Sequence, residues 1–209
     1  MAQRLIALVG MLAIATAGCR SSQPAVPVPA PTAPLPTAGL AGQKVTVYPL
    51  TLLSADEALG WDAALTPHTA ALHRADSIMG ALLTERSPEV TWVLPNALRR
   101  AAARAPGLLT DPDHMATAIL RAPNVRAIPD PLRSQMRDLT GVAGERYALV
   151  PTALVFVPDS LGGGEAELDL VIVDVRTGTL GWRTIARGDG TTPWSALRAA
   201  FKKLTPGLP

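Results

Sequence analysis

The chain has 209 residues, 48% of them hydrophobic and 17% charged, with a formal charge of +2. A near-neutral chain lacks the bulk electrostatics of a nucleic-acid binder, and a single cysteine excludes an internal disulfide and a cysteine-based zinc site. The fold therefore has to stand on its apolar core alone.

Met1–Arg4 carries one positive charge, an apolar run follows from Leu5 to Ala15, and Thr16-Ala17-Gly18-Cys19 closes the segment. A charged start, a short apolar stretch and small residues before a cleavage point mark a secretory signal. The run is shorter than the roughly 20 residues that a membrane-spanning helix needs. The only cysteine, Cys19, follows Thr16, Ala17 and Gly18 directly, and the segment resembles the lipobox of bacterial lipoproteins, with Thr16 in place of the usual leucine. The resemblance implies removal of residues 1–18 as a lipoprotein signal peptide, diacylglycerol on the Cys19 thiol and an N-acyl group on its new amino terminus. No other cofactor is expected. The alternative is an ordinary signal peptide cut near Ala17. Cleavage before Cys19 would leave 191 residues and, with Arg4 gone, a formal charge of +1. Arg20 rather than aspartate follows the cysteine, which favours the periplasmic face of the outer membrane.

Residues 19–42 read as a lipidated cysteine and a tether. Six prolines fall within residues 20–42, and Arg20 is the only charge there. Proline removes the donor that helix and sheet ladders require. A polyproline-like spacer rises ~3.1 Å per residue and would reach ~70 Å over this stretch. A disordered tail with no length-dependent role is the other reading.

A single α/β domain is expected over residues 43–209. Lys44–Leu50 reads as the first strand. A loop with Trp61 follows, and Thr66-Pro67 opens a helix that runs to Glu85, with Ala71, Ala75, Ile78, Met79, Leu82 and Leu83 on one face. Glu89–Leu94 is the second strand, and Asn96–Arg104 a short helix. The pairs Asp111-Pro112, Asp130-Pro131 and Thr192-Pro193 repeat the same start signal: a capping side chain, then proline where a missing N–H costs nothing. They predict helices to about Leu120, Leu139 and the C-terminus. Tyr147–Val157 is apolar throughout, as a strand covered on both faces should be, and Pro151 within it signals a bulge. Glu165–Val175 alternates, with Leu168, Leu170 and Ile172 facing one way and Glu167 and Asp169 the other. Gly178 turns the chain into a hairpin partner, Thr179–Arg187. The last helix carries Trp194, Leu197, Phe201 and Leu204 on one stripe, with Arg198, Lys202 and Lys203 outside. The expected order is β-α-β-α-α-α-β-β-β-α, an α/β fold with a mixed five-stranded sheet packed with helices.

This order, with Val45-Thr46-Val47-Tyr48-Pro49, Glu145-Arg146-Tyr147-Ala148-Leu149-Val150 and the hairpin Leu170–Trp182 (Leu170-Val171-Ile172-Val173-Asp174, then Thr177-Gly178, then Trp182), resembles the group formed by the amino-terminal domain of TolB, the curli secretion lipoprotein CsgG and the penicillin-binding-protein activator LpoB. The resemblance covers roughly Lys44 to Leu204 and leaves 105–135 without a counterpart. It implies a docking or activation role rather than an enzyme. Asp174, Gly178 and Trp182 are read as structural: a turn acceptor, the turn itself and a cover for the sheet end.

Chemistry is hard to find. His68 and His73 lie about 140° apart around a helix, and His114 follows a cap, so no metal site is expected. There is no nucleophile elbow and no phosphate loop. Asp111 and Asp113 read as cap and first-turn residues, and Gly188-Asp189-Gly190 as a loop before the last helix. Arg99, Arg100 and Arg104 read as a solvated helix face. The one-sided acidic row Glu165, Glu167 and Asp169, and the basic stripe Arg198, Lys202 and Lys203, are the candidate docking residues. The leading expectation is a non-catalytic, lipid-anchored periplasmic protein that docks or regulates an envelope partner, for instance a peptidoglycan synthase or an export complex. The alternatives are a CsgG-like subunit of an outer-membrane secretion complex and a small-ligand binder with a site at the sheet edge.

Overall fold

A computed structural model describes residues 30–160 and 162–205. The expected signal peptide with Thr16, Ala17 and Gly18, the expected lipid-attachment residue Cys19 and the first part of the proline-rich segment lie outside the described residues. The strands are β1 (Lys44–Val47), β2 (Leu53–Ala55), β3 (Thr91–Val93), β4 (Tyr147–Pro158), β5 (Gly164–Asp174) and β6 (Thr179–Gly190). The longer helices are α1 (His68–Arg86), α2 (Pro95–Arg104), α3 (Leu132–Ala143) and α4 (Pro193–Lys202).

The sheet runs β3-β1-β4-β5-β6, with β2 set against the later half of β4. β1 is parallel to β3 and β4, β2 is parallel to β4, and β5 is antiparallel to both β4 and β6. The fold is the mixed α/β arrangement that the element pattern predicts, with β2 as a sixth strand. Three residues are too short to show an alternation, so β2 was hidden inside the expected Trp61 loop.

Helices cover both faces of the sheet. On one, α1 and α4 bury Ala71, Ala75, Met79, Leu83, Leu197 and Phe201 against Leu149, Leu154, Phe156 and Leu168. On the other, α2 and α3 bury Leu98, Met136 and Leu139 against Ala148, Val150, Val171 and Val173. The apolar face predicted for α1 is the face that is buried.

The start signals divide by chemistry. Thr192 caps α4 through a reciprocal pair with Ser195, and Asp111 accepts a bond from the Asp113 amide. Asp111 nevertheless opens only a single 3-10 turn, Pro112–His114, followed by a second at Thr117–Arg121. The helix expected to reach Leu120 does not form, because its run holds no helical apolar stripe long enough to continue past one turn. Thr66 and Asp130 do not cap, and Pro67 and Pro131 take the cap positions themselves.

The bulge signalled by Pro151 sits between Pro151 and Ala153. It has a local cause. The Leu149 carbonyl accepts from the Tyr48 amide, and the Leu154 amide donates to the Leu52 carbonyl, so this edge of β4 is paired before and after Pro151. Between Tyr48 and Leu52 the neighbouring chain leaves the edge, and a residue without an N–H is tolerated there. The extra residue, Thr152, also switches the facing parity of the strand. Tyr147 and Leu149 face α1 and α4 before it, and Leu154 and Phe156 do so after it.

Two close contacts finish the sheet. Gly188 and Gly190, expected in a loop, lie in β6 beneath α4. A Cβ on Gly188 would stand 2.0 Å from the Ala200 amide nitrogen, and one on Gly190 would stand 2.4 Å from that of Ala196. Glycine lets the helix backbone rest directly on the strand. The outer edge of β6 is covered as well. Residues 126–128 bond to it near the hairpin, through the Leu180 amide to the Arg126 carbonyl and the Ile128 amide to the Gly178 carbonyl. Further along, the end of the proline-rich segment lies against it. Thr32 donates to the Ile185 carbonyl at 3.1 Å, the Ala33 amide donates to Thr184 Oγ1 at 2.7 Å, and the Leu35 amide reaches the Leu204 carbonyl at 2.8 Å. Leu35 and Leu40 are buried in the α1–α4 core. Folded contacts thus begin about a dozen residues before Lys44, where order was expected to start, because those prolines are interspersed with leucines that have somewhere to go.

Candidate functional site

β1 hands the chain to α1 on one face of the sheet, and β3 hands it to α2 on the other. The crevice outside the carboxyl ends of such diverging strands is where open α/β sheets take ligands. Here the chain fills it with its own charges. Asp76 of α1 is buried and accepts the Leu50 amide at 2.9 Å. Its second oxygen accepts from Arg99 Nη2 of α2. Arg99 then forks onto Asp113, Nε to Oδ2 at 2.8 Å and Nη2 to Oδ1 at 2.6 Å, and Nη1 donates to Asn96 at 3.0 Å. His73 Nε2 stands 3.9 Å from Asp113.

The two carboxyls differ in electrostatics. Burial pushes Asp76 up from the ordinary carboxylate range, against the pull of the Leu50 amide and Arg99. Asp113 is also partly desolvated, but its bonds to Arg99, with His73 and His114 nearby, hold it below that range. With both of its nitrogen edges engaged, Arg99 is a clamp between the two helical layers rather than a free cation. The sequence showed Asp113 as a first-turn residue and Arg99 as solvated. The missed signal was Asp76, a carboxylate set among the apolar positions of α1, which needs a cationic partner to be buried there.

The acidic row is on one face of β5, but it is not unpaired. In register, Glu167 lies opposite Arg187, and Glu165 opposite Asp189. Arg187 Nε stands 2.8 Å from Glu167 and 3.9 Å from Glu165, and Arg121 reaches Asp169 at 3.6 Å. Burial, with Asp189 across the strand, raises the Glu165 carboxyl, and burial raises Asp169. The row is an internally matched patch with reduced appetite for a basic partner.

Arg198, Lys202 and Lys203 are exposed on α4, and α4 packs on the opposite side of the sheet from the row. The two candidate docking sets meet at one point only: Lys203, just past the end of α4, is near enough to pull on the Glu165 carboxyl. In the hairpin, Asp174 accepts from the Thr177 amide at 3.0 Å and from Arg146 Nε at 2.7 Å. These bonds outweigh desolvation and hold its carboxyl below the usual range. Gly178 has φ 77°, and Trp182 is partly buried against the α1–α4 core.

Among the described residues no group of three or more His, Cys, Asp and Glu is placed to hold a metal ion, and no helix is long and apolar enough to cross a membrane. The larger surface depressions are open. One of about 450 Å³ lies beside Arg137, Arg146 and Arg176, and one of about 550 Å³ lies between Trp61 and α4.

No family model matches the sequence. No characterised protein matches it by sequence either. Among solved structures, a PelC dodecamer from Paraburkholderia phytofirmans is similar at 16% identity over 86% of this chain and 96% of that one, with a TM-score of 0.41. The LpoB C-terminal domain from Escherichia coli is similar at 16% identity over 71% and 83%, with a TM-score of 0.41. Lipoprotein GNA1162 from Neisseria meningitidis is similar at 15% identity over 70% and 80%, with a TM-score of 0.37. Nothing about partners or activity follows from likeness at this level.

Proposed function

We propose that the protein is a lipid-anchored, non-catalytic component of the bacterial envelope that presents its α/β domain to a protein partner from the periplasmic face of the outer membrane. The observation that carries this reading is the leader: a charged start, an apolar run and the sole cysteine, Cys19, directly after Thr16-Ala17-Gly18. Such a segment exports the chain and fixes it to a membrane. Arg20 after the cysteine favours the outer membrane. The hairpin Leu170–Trp182 supports a docking domain through its resemblance to the TolB, CsgG and LpoB group. The charges in the carboxyl-end crevice are spent on one another, which fits a structural use of that crevice better than a catalytic one. A peptidoglycan synthase or an export complex is the kind of partner this reading favours.

The test has two arms in the native host. Radioactive palmitate should label the wild-type chain and not the Cys19→Ala chain. Photo-crosslinkers placed on the exposed face of α4, at Lys202 and Lys203, should recover an envelope protein from the wild type and much less of it from Cys19→Ala. Labelling that persists in Cys19→Ala would overturn the anchor. Recovery of no envelope protein, with Cys19→Ala fully functional, would overturn the docking role.

A further inference from the structure

Two large apolar side chains stand exposed among the described residues, Leu108 at 82% and Ile119 at 48%. Both lie in the stretch 95–126, which carries five arginines against two aspartates. Residues 30–205 as a whole hold Asp and Glu in the same number as Lys and Arg, 17 of each once Arg4 and Arg20 are set aside. Exposed apolar groups and an excess of positive charge are therefore gathered in one stretch of an otherwise neutral domain.

Leu108 is held out by construction. Ala105-Pro106-Gly107-Leu108 is a β-turn closed by the Leu108 amide on the Ala105 carbonyl at 3.1 Å. Pro106 takes its second position and Gly107 its third, with φ 81°, the pairing that a type II turn favours. The next residue, Leu109, packs against the α2–α3 core. The turn thus buries one leucine and leaves its neighbour in solvent. Arg100 and Arg104 lie one helical turn apart in the part of α2 that leads into it, both exposed. Neither meets a carboxylate among the described residues, whereas Arg99 beside them is spent on Asp76 and Asp113.

We propose that this corner of the domain rests on an anionic lipid surface, with Leu108 entering the boundary between headgroups and acyl chains and Arg100 and Arg104 on the lipid phosphates. The chemistry is complementary. An exposed leucine gains by leaving water, a guanidinium forks onto phosphate oxygens, and an anionic leaflet attracts basic side chains held near it. Basic residues beside a projecting apolar group are the means by which interfacial elements hold to a bilayer without crossing it. A protein partner would call for a broader patch with aromatic anchors, and residues 95–126 contain no Phe, Trp or Tyr. A narrow apolar tip between cations suits a soft interface better than a shaped one. With α2 against the lipid, α4 lies on the opposite face of the sheet, and Lys202 and Lys203 stay open to a protein. The contact is made by the domain itself and does not depend on acylation of Cys19.

A polarity-sensitive fluorophore tests it. The chain from residue 19 onward, with Cys19→Ala and Leu108→Cys, carries a nitrobenzoxadiazole group on the new thiol. An amino-terminal hexahistidine, held by nickel-chelating lipid, keeps the domain at the vesicle surface in place of any acyl anchor. On vesicles of phosphatidylglycerol and phosphatidylcholine in equal parts, the emission should shift to the blue and rise about twofold or more, as it does when a group enters the interface. On phosphatidylcholine alone the rise should be much smaller. Adding Arg100→Gln and Arg104→Gln should remove most of it, and so should high salt. The same fluorophore at Lys202→Cys, on the other face of the sheet, should not respond. A label at Leu108→Cys that stays in water on the anionic vesicles, or responds equally on phosphatidylcholine, would overturn the proposal. So would a rise that survives loss of both arginines, or a larger response at Lys202→Cys. Silence on vesicles joined to a crosslink from position 108 to an envelope protein in the host would also overturn it and assign the tip to a protein partner.

Discussion

Gly188 lies directly under the backbone of Ala200, close enough that a methyl group on it would meet the amide nitrogen at 2.0 Å. The obstacle is helix backbone, which cannot rotate away as a side chain can. Gly188→Ala should therefore destabilise the fold by about 3 kcal/mol, the upper part of the usual range for overpacking. Gly181 is the control. It lies in the same strand, and a Cβ there would find nothing closer than the Ile172 carbonyl oxygen at 3.9 Å, so Gly181→Ala should leave the urea midpoint nearly unchanged. Equal midpoints for the two variants would mean that α4 does not rest on β6 as described.

Asp76→Ala should be costly, because it leaves the Leu50 amide without its acceptor and Arg99 with one carboxylate in place of two. Breaking a buried pair from one side costs about 3–5 kcal/mol. Removing Arg99 too, in Asp76→Ala/Arg99→Ala, should cost clearly less than the sum of the single changes, since neither leaves the other's charge stranded. Denaturant titration of the four chains gives the coupling directly. Additive losses would show that the two side chains are not a unit.

The low carboxyls set the acid limb of stability. Asp174 and Asp113 are both held below the ordinary range in the folded chain. Each contributes stability that is fully present above its unfolded pKa, about 3.9, and is lost as pH falls toward its folded value. Asp76 has the opposite sign: its carboxyl is raised, so its ionisation removes stability as pH rises from the unfolded pKa toward the folded one. Asp174→Asn should therefore be less stable than the wild type at neutral pH and should lose less on acidification, so that the two stabilities converge as pH falls through the lowered carboxyl's range. Asp76→Asn keeps an acceptor for the Leu50 amide and should flatten the profile above pH 4 instead. Parallel profiles for all three chains would sink the assignment.

The segment along β6 makes its own prediction. Leu35→Ala should cost about 2 kcal/mol, the lower end for truncating a buried leucine. Thr184→Val, which removes the acceptor for the Ala33 amide, should speed hydrogen exchange at Ala33 and leave exchange at Val171 in the centre of the sheet untouched. Deleting residues 20–35 should uncover part of an edge strand and increase self-association at high concentration, as open edges do. Sedimentation that shows the deleted chain as monomeric as the parent would argue that residues 126–128 protect the edge unaided.

Elements with a strong local rule were legible in the sequence. The apolar stripe of α1, the uninterrupted β4, the alternating β5 and the Thr192-Pro193 start of α4 each follow from a pattern within one segment. What escaped depends on pairs of segments. β2 is three residues long and exists because β4 has a free edge beyond its bulge. The Asp76–Arg99–Asp113 clamp joins three elements whose spacings reveal nothing by themselves. Arg187 and Glu167 are matched only through the register of β5 and β6. Gly188 and Gly190 looked like a loop because glycine marks loops, and nothing local says that a helix will lie on them.

The bonds that hold residues 30–35 to β6 and α4 also determine how this domain would bear a load. Tension on the chain ahead of Ala30 reaches the Ala30–Arg187 contact first, then Thr32, then Ala33, and only after those the Leu35 amide and its buried side chain. The attachments stand in series, so they would open one at a time, like a seam, and at low force. Each release would add a few residues of slack while the six-stranded sheet stayed closed. The segment would thus act as an extensible leash, short at rest and longer under pull, so that under the anchor proposed at Cys19 the reach of the domain becomes a quantity that mechanical stress can change.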